Sequence, residues 1–358
     1  MKILFVQPPS QFLLDDRAFP YLGPLQVAAV AQREGHEVRV VDLTGHDRRC
    51  GAALHDECDL ASECLGLVRV ACEEFAPDLL AFYALYAQFP VVVALRRGLC
   101  ESHPELPAVI GGPHANTSPE ECRRHGFDWV VVADQGGGGG EPGFLALLDR
   151  LASGRPRSAL ESGILRVPSR PQGVVYDRGE YVNDRWPHPA RNLIDLESYR
   201  YEVRGRRTTT LVTQAGCPFA CHFCGHNDGY QKLALRSPAH VEAELRAILR
   251  DYPWVGCVML YDDEVNIRGD FLDLLETLGR VGEHGQRLTY RGFFKCGKSF
   301  MRPEVFTAMA EAGFVTLCTG AEAADPQVLR RVGKGATVED NTQFIDLCAE
   351  HGIDAKIF

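Results

Sequence analysis

Three cysteines lie close together near the middle of the chain, in the stretch GCPFACHFCGH. Cys217, Cys221 and Cys224 fall within eight residues, at a spacing of four and then three. Three thiols make an odd set for disulfides, and a structural zinc site takes four ligands, although His222 or His226 could supply the fourth. A cubane iron–sulfur cluster uses one thiolate per iron, so three thiolates leave one iron open for something other than protein. The spacing therefore favours a 4Fe–4S cluster with an open iron over zinc.

The remaining cysteines have a different setting. The chain of 358 residues has 13 cysteines, and an odd number scattered over a large protein predicts free thiols in a reducing cytoplasm. Ten of them are interpreted as small buried hydrophobic residues. These are Cys50, Cys58, Cys64, Cys72, Cys100, Cys122, Cys257, Cys296, Cys318 and Cys348.

The composition excludes some classes of function. The formal charge of −10 argues against a nucleic-acid-binding protein, because phosphate contacts need a basic face. No apolar run is long enough to span a bilayer, so no membrane association is expected. The amino-terminal stretch MKILFVQPPSQF has no small-residue cleavage site and predicts a first strand, not a signal peptide.

In the first half of the sequence, predicted strands alternate with predicted helices, and these elements would position any ligand. Five strand–helix units predict a doubly wound parallel (Rossmann-like) sheet, whose ligands sit at the carboxyl ends of the strands. Ser118 and Glu121 predict a capping box with Pro119 at the first helical position. The predicted carboxyl ends are residues 7–10, 44–47, 83–88, 111–116 and 135–140.

The second half alternates again and predicts part of a β/α barrel. A strand ends at the cysteine cluster, and YDDEV and GAEA follow the second and fourth strands. Ser237, Asp325 and Thr337 are predicted to begin helices. The pattern stops after a fifth strand, DAKIF, so the barrel is expected to be truncated. The predicted domains are residues 1–154, a connector with a small hairpin at 155–207, and a barrel at 208–358.

These motifs resemble those of a known family. CPFACHFC resembles the CxxxCxxC signature of radical SAM enzymes, including the aromatic Phe223 before the third cysteine. LGPLQVAAVAQREGHEVRVVDL and VIGGPHAN resemble the cobalamin-binding domain found in one branch of that family, and YDDEV and GAEAADPQVLRRVGKGAT resemble its barrel. The resemblance covers essentially the whole chain. It implies a Rossmann-like cobalamin domain followed by a partial (β/α)6-type barrel.

The resemblance implies roles for residues of the second half. Cys217, Cys221 and Cys224 would ligate the cluster, whose open iron binds S-adenosylmethionine (SAM), and the backbone at Phe223 would face the adenine. The acids after the second strand, Asp262 and Asp263, would meet the SAM ammonium. Lys295 would meet the SAM carboxylate, and Glu322 the ribose or amino acid part. The alternative for these four charged residues is ordinary solvated charge at strand ends.

The resemblance also implies cobalamin contacts in the first half. The loop DLTGHDRR has Thr44 where many cobalamin proteins place a cobalt-ligating His, which predicts cobalamin without a protein His on cobalt. The run of glycines after the fifth strand departs from the family's Gly-Glu-Gly-Glu turn, and the alternative is a loop that binds nothing. The expected cofactor-binding residues are Thr44, Gly45, Tyr83, Gly111, Gly112, His114, Gly136 and Gly140.

The function implied first is a cobalamin-dependent radical SAM enzyme. Such an enzyme cleaves SAM reductively to a 5′-deoxyadenosyl radical and transfers a methyl group to an unactivated carbon. Two alternatives stay open: a radical rearrangement, cyclisation or oxidation without methyl transfer, and a non-catalytic iron–sulfur binding or regulatory protein. The expected partners are a small-molecule or natural-product substrate and an electron donor such as flavodoxin or ferredoxin, in the cytoplasm.

Overall fold

Two parallel sheets form the framework of the protein. The computed structural model describes residues 1–10, 15–45, 57–133, 139–153, 163–166, 181–224, 233–281 and 288–358. The described chain divides into two compact units. The first contains the described residues up to 133, those in 139–166, and 186–199; the second contains 181–185 and 200–358.

The first unit is the predicted doubly wound sheet. Its strand order is β2-β1-β3-β4-β5-β6, with every pair parallel. Apolar side chains pack on both faces, which explains the near-continuous apolar strands. The elements are β1 (Lys2–Gln7), α1 (Leu22–Arg33), β2 (Glu37–Asp42), α2 (Glu57–Phe75), β3 (Leu79–Tyr83), α3 (Phe89–Ser102), β4 (Ala108–Gly111), α4 (Pro113–Thr117), α5 (Pro119–Arg124), β5 (Trp129–Val132), α6 (Glu141–Ala152) and β6 (Gly163–Arg166).

The sequence analysis missed β6. It placed Gly163–Arg166 in a connector, whereas the segment pairs in parallel with β5 as a sixth strand. Residues 186–199 also join the first unit. The hairpin predicted at 173–184 lies mostly outside the described residues.

The second unit is a partial barrel. Its sheet has the order β14-β13-β12-β11-β8-β7, in which only β7 runs antiparallel to its neighbour. Helices cover one face of this sheet. The elements are β7 (Glu202–Val203), β8 (Arg206–Leu211), β9 (Gln214–Ala215), β10 (Ala234–Leu235), α7 (Pro238–Asp251), β11 (Cys257–Leu260), α8 (Phe271–Arg280), β12 (Thr289–Phe293), α9 (Pro303–Ala312), β13 (Phe314–Thr319), α10 (Pro326–Val332), α11 (Val338–Glu350) and β14 (Asp354–Ile357).

Local sequence signals fix the helix starts of the second unit. The Ser237 hydroxyl accepts a hydrogen bond from the His240 N–H, Asp325 accepts from two N–H groups of α10, and Thr337 forms a capping box with Asp340. These three predicted starts are confirmed. The capping box predicted at Ser118 is wrong, since the Ser118 side chain makes no capping hydrogen bond.

The sheet of the second unit curls. An ion pair shows this, because Arg204 in the β7–β8 turn bonds Asp354 at the start of β14, at 2.7 Å. These two residues belong to opposite ends of the strand order. The fold class is therefore as predicted, a Rossmann-like unit and a partial barrel. No helix in the described ranges is both long and apolar enough to cross a membrane.

Candidate functional site

The cysteine loop follows β8 and β9 and lies in the chain between the two strands of the short β9–β10 pair. Gly216, with a φ of +93°, turns the chain into the loop, a conformation that favours glycine. Cys217, Cys221 and Cys224 are half-buried, and none of them forms a disulfide. The Cys224 N–H donates to the Cys221 carbonyl at 3.0 Å, which closes a tight turn around the last two. The loop thus presents three thiols with no disulfide among them.

The chemistry of these thiols fits a cluster. Burial raises the pKa of Cys217 to about 11, so the thiolate would need a nearby positive charge, which a bound iron would supply. Among the residues that the structure describes, no group of three or more His, Cys, Asp or Glu side chains could hold one metal ion. A cubane distributes its thiolates over different irons and so needs them wider apart than one ion does.

His222 fastens the loop to the end of α10. Its N–H donates to the Val332 carbonyl at 2.9 Å, and its Nδ1 lies 2.7 Å from the Arg331 carbonyl. The imidazole packs on Gly333, where an added Cβ would lie 3.1 Å from Nε2. His222, one of the two candidates for a fourth ligand, is therefore held by the backbone of α10. The other candidate, His226, lies outside the described residues.

Asp262 anchors the approach to the loop. Its carboxylate accepts hydrogen bonds from the Thr213 N–H at 2.7 Å, from the Thr213 hydroxyl and from the Gln214 N–H at 3.2 Å. The residue is 3% exposed, and burial raises its pKa to about 6 despite these bonds. The sequence analysis expected Asp262 to meet SAM; the structure instead engages its oxygens inside the protein.

Two acids and two lysines gather beside the cysteine loop. Lys334 donates from Nζ to Glu322 at 2.6 Å, and Lys295 donates from Nζ to the Lys334 carbonyl at 2.6 Å. The Lys295 ammonium also lies 4.8 Å from the ring centroid of Phe219, within the cysteine loop. The structure therefore brings the predicted Lys295 and Glu322 together, and it adds Glu264 and Lys334.

Glu264 is the acid that sequence reasoning missed. Its Oε2 is buried, and within the described residues it has no hydrogen-bond partner. Burial raises the pKa of this carboxyl to about 7, while Lys334 and Lys295 act in the opposite direction. Glu264 directly follows the Asp-Asp pair, so its place in YDDEV was the available signal.

Glu322 has an unusual backbone. Its φ is +64°, in the left-handed region that residues other than glycine rarely adopt. Its N–H donates to the Phe358 carbonyl at 3.1 Å. A Cβ at Gly320 would collide with the Glu322–Lys334 pair, which explains the glycine of the Gly-x-Glu motif. Such strain marks positions where the surroundings hold a side chain in place.

Phe223 and Asp263 are the exposed members of the predicted SAM set. Phe223 is 55% exposed on the cysteine loop. Asp263 is also exposed, and its charge raises the pKa of Cys217, so it lies near that thiol. Both residues border the same loop.

The first unit has a cavity at the carboxyl ends of β3, β4 and β5. Its volume is about 190 Å³, and it lies between the sheet and the starts of α1 and α6. Four predicted residues line it: Tyr83, Gly111, Gly112 and Gly140. Gly112 has a φ of +100°, and a Cβ there would lie 2.8 Å from the Tyr83 ring. Glycine therefore allows the close approach that shapes the cavity.

Thr44 and Gly45 belong to a polar network instead of this cavity. Arg17 bonds Asp42 at 2.6 Å and the Thr44 hydroxyl at 2.8 Å, and the Tyr199 hydroxyl donates to Asp42 at 2.8 Å. The Gly45 N–H donates to Asp16 at 2.6 Å. Thr44, the residue at the position where many cobalamin proteins have a cobalt-ligating His, is thus part of this network.

His114 also lies away from the cavity. It is buried in α4, where its ring stacks on Phe89 with centroids 3.8 Å apart and lies 3.2 Å from Glu121. Burial lowers its pKa, and Glu121 opposes that shift. Glu121 thus contacts His114 and does not cap α5. Gly136 and His46 lie outside the described residues.

Both units match known family models. A model of the radical SAM superfamily matches residues 211–358, and a B12 binding domain model matches residues 18–137. The chain belongs to the cobalamin-binding radical SAM enzymes. The predicted family is therefore confirmed, and the predicted cofactors, a 4Fe–4S cluster, SAM and cobalamin, are those of this family.

Known proteins resemble this chain over nearly its whole length. An uncharacterized methyltransferase of Pyrococcus horikoshii is 24% identical over 99% of this chain and 72% of its own length. Hopanoid C-3 methylase of Methylococcus capsulatus is 24% identical over 100% of this chain and 64% of its own. The structure of the cobalamin-dependent SAM radical enzyme OxsB, with aqua-cobalamin bound, superposes with a TM-score of 0.73 at 16% identity. That match covers 99% of this chain and 49% of OxsB.

Proposed function

We propose that this chain carries the cofactor-binding part of a methyltransferase acting on an unactivated carbon of a small molecule. The observation that carries the proposal is the joint occurrence of the three-thiol loop and the glycine-shaped cavity, each in its own unit. Two relatives at 24% identity are named as a methyltransferase and a methylase. When bound, the cluster, SAM and cobalamin supply one-electron and methyl-carrying chemistry, and the protein supplies binding and electrostatics.

The residues of the second unit divide the work of holding cluster and SAM. Cys217, Cys221 and Cys224 provide three thiolates, and the backbone at Phe223 faces the adenine. Glu264, with its buried unpartnered oxygen, replaces Asp262 as the acid that meets the SAM ammonium. Asp263 stands at the rim of the same site.

The two predicted strand-end partners complete this SAM site. An ammonium has three donors, and Lys295 uses one on the Lys334 carbonyl, which leaves donors for the SAM carboxylate. Glu322, held in its strained conformation, contacts the ribose or amino acid part. These assignments are part of the proposal.

In the first unit, Tyr83, Gly111, Gly112 and Gly140 surround the nucleotide tail of cobalamin. Thr44 and Gly45, which lie in the Arg17–Asp42 network, would border the bound corrin, and we expect no His of the chain to bind its cobalt. His114 is buried in α4, the helix whose Asn116 lines the cavity, and it would hold that helix in place through its stack on Phe89. A flavodoxin or ferredoxin supplies the electron, and the protein works in the cytoplasm.

Anaerobic reconstitution tests the proposal. The whole chain is loaded with iron, sulfide and hydroxocobalamin, reduced, and given SAM labelled in its methyl group. We expect about four irons per chain, one bound corrinoid, formation of 5′-deoxyadenosine, and label recovered with the corrinoid. Formation of 5′-deoxyadenosine without labelled corrinoid would favour a radical reaction without methyl transfer. A loaded cluster that leaves SAM intact would indicate a non-catalytic iron–sulfur protein.

A further inference from the structure

Arg291 lies on the inner face of the second sheet, the face opposite the helices. Its chain neighbour Tyr290 is fully buried in the core beneath the helices, so Arg291 points the other way. Arg291 pairs in register with Met259 of β11 and Thr316 of β13, whose side chains share its face. The inner face also carries Thr210, Cys318 and Lys356 by the same register.

The strands supply no countercharge for Arg291. Among the residues of β8, β11, β12, β13 and β14, the only acid is Asp354. Both oxygens of Asp354 bond Arg204 at 2.7 Å, and this partner lowers the pKa of Asp354. The one carboxylate of these strands is therefore committed elsewhere.

The contacts that Arg291 does make are weak ones. Its Nε donates to the Cys318 Sγ at 3.3 Å, and its guanidinium lies 5.5 Å from the centroid of the Tyr201 ring. A guanidinium has five donors and stays charged, and thiol sulfur is a poor acceptor. Arg291 is only 9% exposed, and burying a cation without an anionic partner is unfavourable.

A bidentate anion would satisfy this guanidinium. Carboxylate and phosphate match the geometry of the guanidinium fork with two parallel hydrogen bonds. Lys356, exposed on the same face and in register with Cys318, adds a second positive charge. We propose that the inner face binds the carboxylate or phosphate group of an anionic substrate, with Arg291 as its principal contact. Calling that anion the substrate rests on the proposed function; the anion site itself does not.

The test uses the whole chain and two probes. The side-chain Nε–Hε signals of arginine are followed by NMR while sodium chloride is replaced by inorganic phosphate, or by acetate, at constant ionic strength. Arg207 is the matched control, since it lies on β8 of the same sheet and stacks on Trp254, 3.9 Å from its ring centroid. The substitutions R291K and R207K assign the two signals. Phosphate affinity is then compared between the native chain and R291Q by calorimetry.

We expect a saturable shift of the Arg291 signal and none of the Arg207 signal. R291Q should weaken anion binding about tenfold or more, the effect of losing charge-assisted hydrogen bonds. Stronger binding of phosphate indicates a phosphorylated substrate, and stronger binding of acetate indicates a carboxylate. If the Arg291 signal responds to neither probe, or no more than Arg207, the inference is overturned. The NMR and calorimetric measurements need no bound cluster. A negative result for the anion site can therefore be distinguished from a negative result for SAM cleavage.

Discussion

At the scale of single residues, Glu264 combines burial with an unsatisfied oxygen. Its carboxyl has a pKa of about 7 instead of the usual 4.5, because burial penalises the charged form. The folded state therefore holds this proton more tightly than the unfolded chain does. The sign follows: the associated loss of stability is absent below about pH 4.5, grows between there and pH 7, and is complete above pH 7.

Replacing Glu264 with Gln should change stability and binding in opposite directions. At pH 8, without ligands, we expect the free energy of unfolding of E264Q to be about 1 to 3 kcal/mol higher than that of the native chain, because the cost of the buried charge is removed. The variant should therefore unfold at a higher urea concentration. SAM affinity should fall about tenfold or more, because the ammonium loses its anionic partner. Urea titration and SAM titration at fixed iron content measure the two effects.

The control for this prediction is the exposed Glu311 on α9, for which E311Q should change neither quantity. The native chain should also bind SAM more tightly as the pH rises through about 7, and E264Q should not. Unchanged SAM affinity in E264Q would contradict the role proposed for Glu264.

The division of labour between Asp262 and Glu264 could not be predicted from sequence. The motif YDDEV places three acids in a row after a buried strand, which indicates a site at that strand end. Which acid turns inward depends on the partners that tertiary structure brings. Thr213 and Gln214, almost 50 residues earlier, occupy Asp262. The cysteine spacing, by contrast, is local and could be interpreted directly.

At the scale of elements, the junction between the cysteine loop and the end of α10 is held by a glycine. Gly333 has a φ of +67° and packs against the His222 ring. We expect G333A to lower the iron content after reconstitution, because the new methyl group displaces His222 and the loop with it. Iron per chain and absorbance of the cluster measure the effect.

A second glycine, Gly352, provides a control that distinguishes the effect of the His222 contact from the effect of backbone strain. Gly352 has a φ of +68° and nothing within 4 Å of an added Cβ. G352A should therefore lower the free energy of unfolding by about 1 kcal/mol because of the left-handed conformation alone, as the same conformation does in G333A. It should leave the iron content unchanged. Equal iron loss in both variants would show that the His222 contact does not hold the loop.

The cavity of the first unit offers a parallel comparison. G112A adds a methyl group 2.8 Å from the Tyr83 ring at a φ of +100°, whereas G126A adds one to open space at a φ of +87°. Only G112A should weaken cobalamin binding, because only it narrows the cavity. Spectroscopic titration with hydroxocobalamin measures this. If G112A binds cobalamin with wild-type affinity, the cavity is not part of the cobalamin site.

Strand β6 shows the limit of pattern reading at this scale. Its four residues, Gly163–Arg166, lie in a stretch rich in Pro, Arg and Gly, and only pairing with β5 makes them a strand. Glu121 shows the same limit for caps: the expected motif is present, but its carboxylate contacts the His114 ring. The longer periodic elements follow from sequence because their own apolar pattern determines them.

At the scale of the whole molecule, the two proposed cofactor sites consist of residues of separate units. Changing Cys217, Cys221 and Cys224 to Ala should abolish iron binding and SAM cleavage. It should leave cobalamin affinity and the absorbance spectrum of the bound corrinoid intact, because no cysteine of the loop lines the cavity of the first unit. Iron analysis and corrinoid titration on the same sample measure both.

The control is C348A, which removes a buried thiol from the core of the second unit. It should lose some stability and keep the cluster. Parallel loss of cobalamin binding in the triple variant would show that the two sites are not independent.

The ion pair between Arg204 and Asp354 has a consequence for biosynthesis. It joins residues 150 positions apart. At translation rates of about 5–20 residues per second, Asp354 emerges roughly 8 to 30 seconds after Arg204. The described residues of the first unit, which end at Tyr199, have all left the ribosome before that interval begins. The first unit can therefore fold on the nascent chain while the inner face of the second sheet, with Arg291, is still open to water.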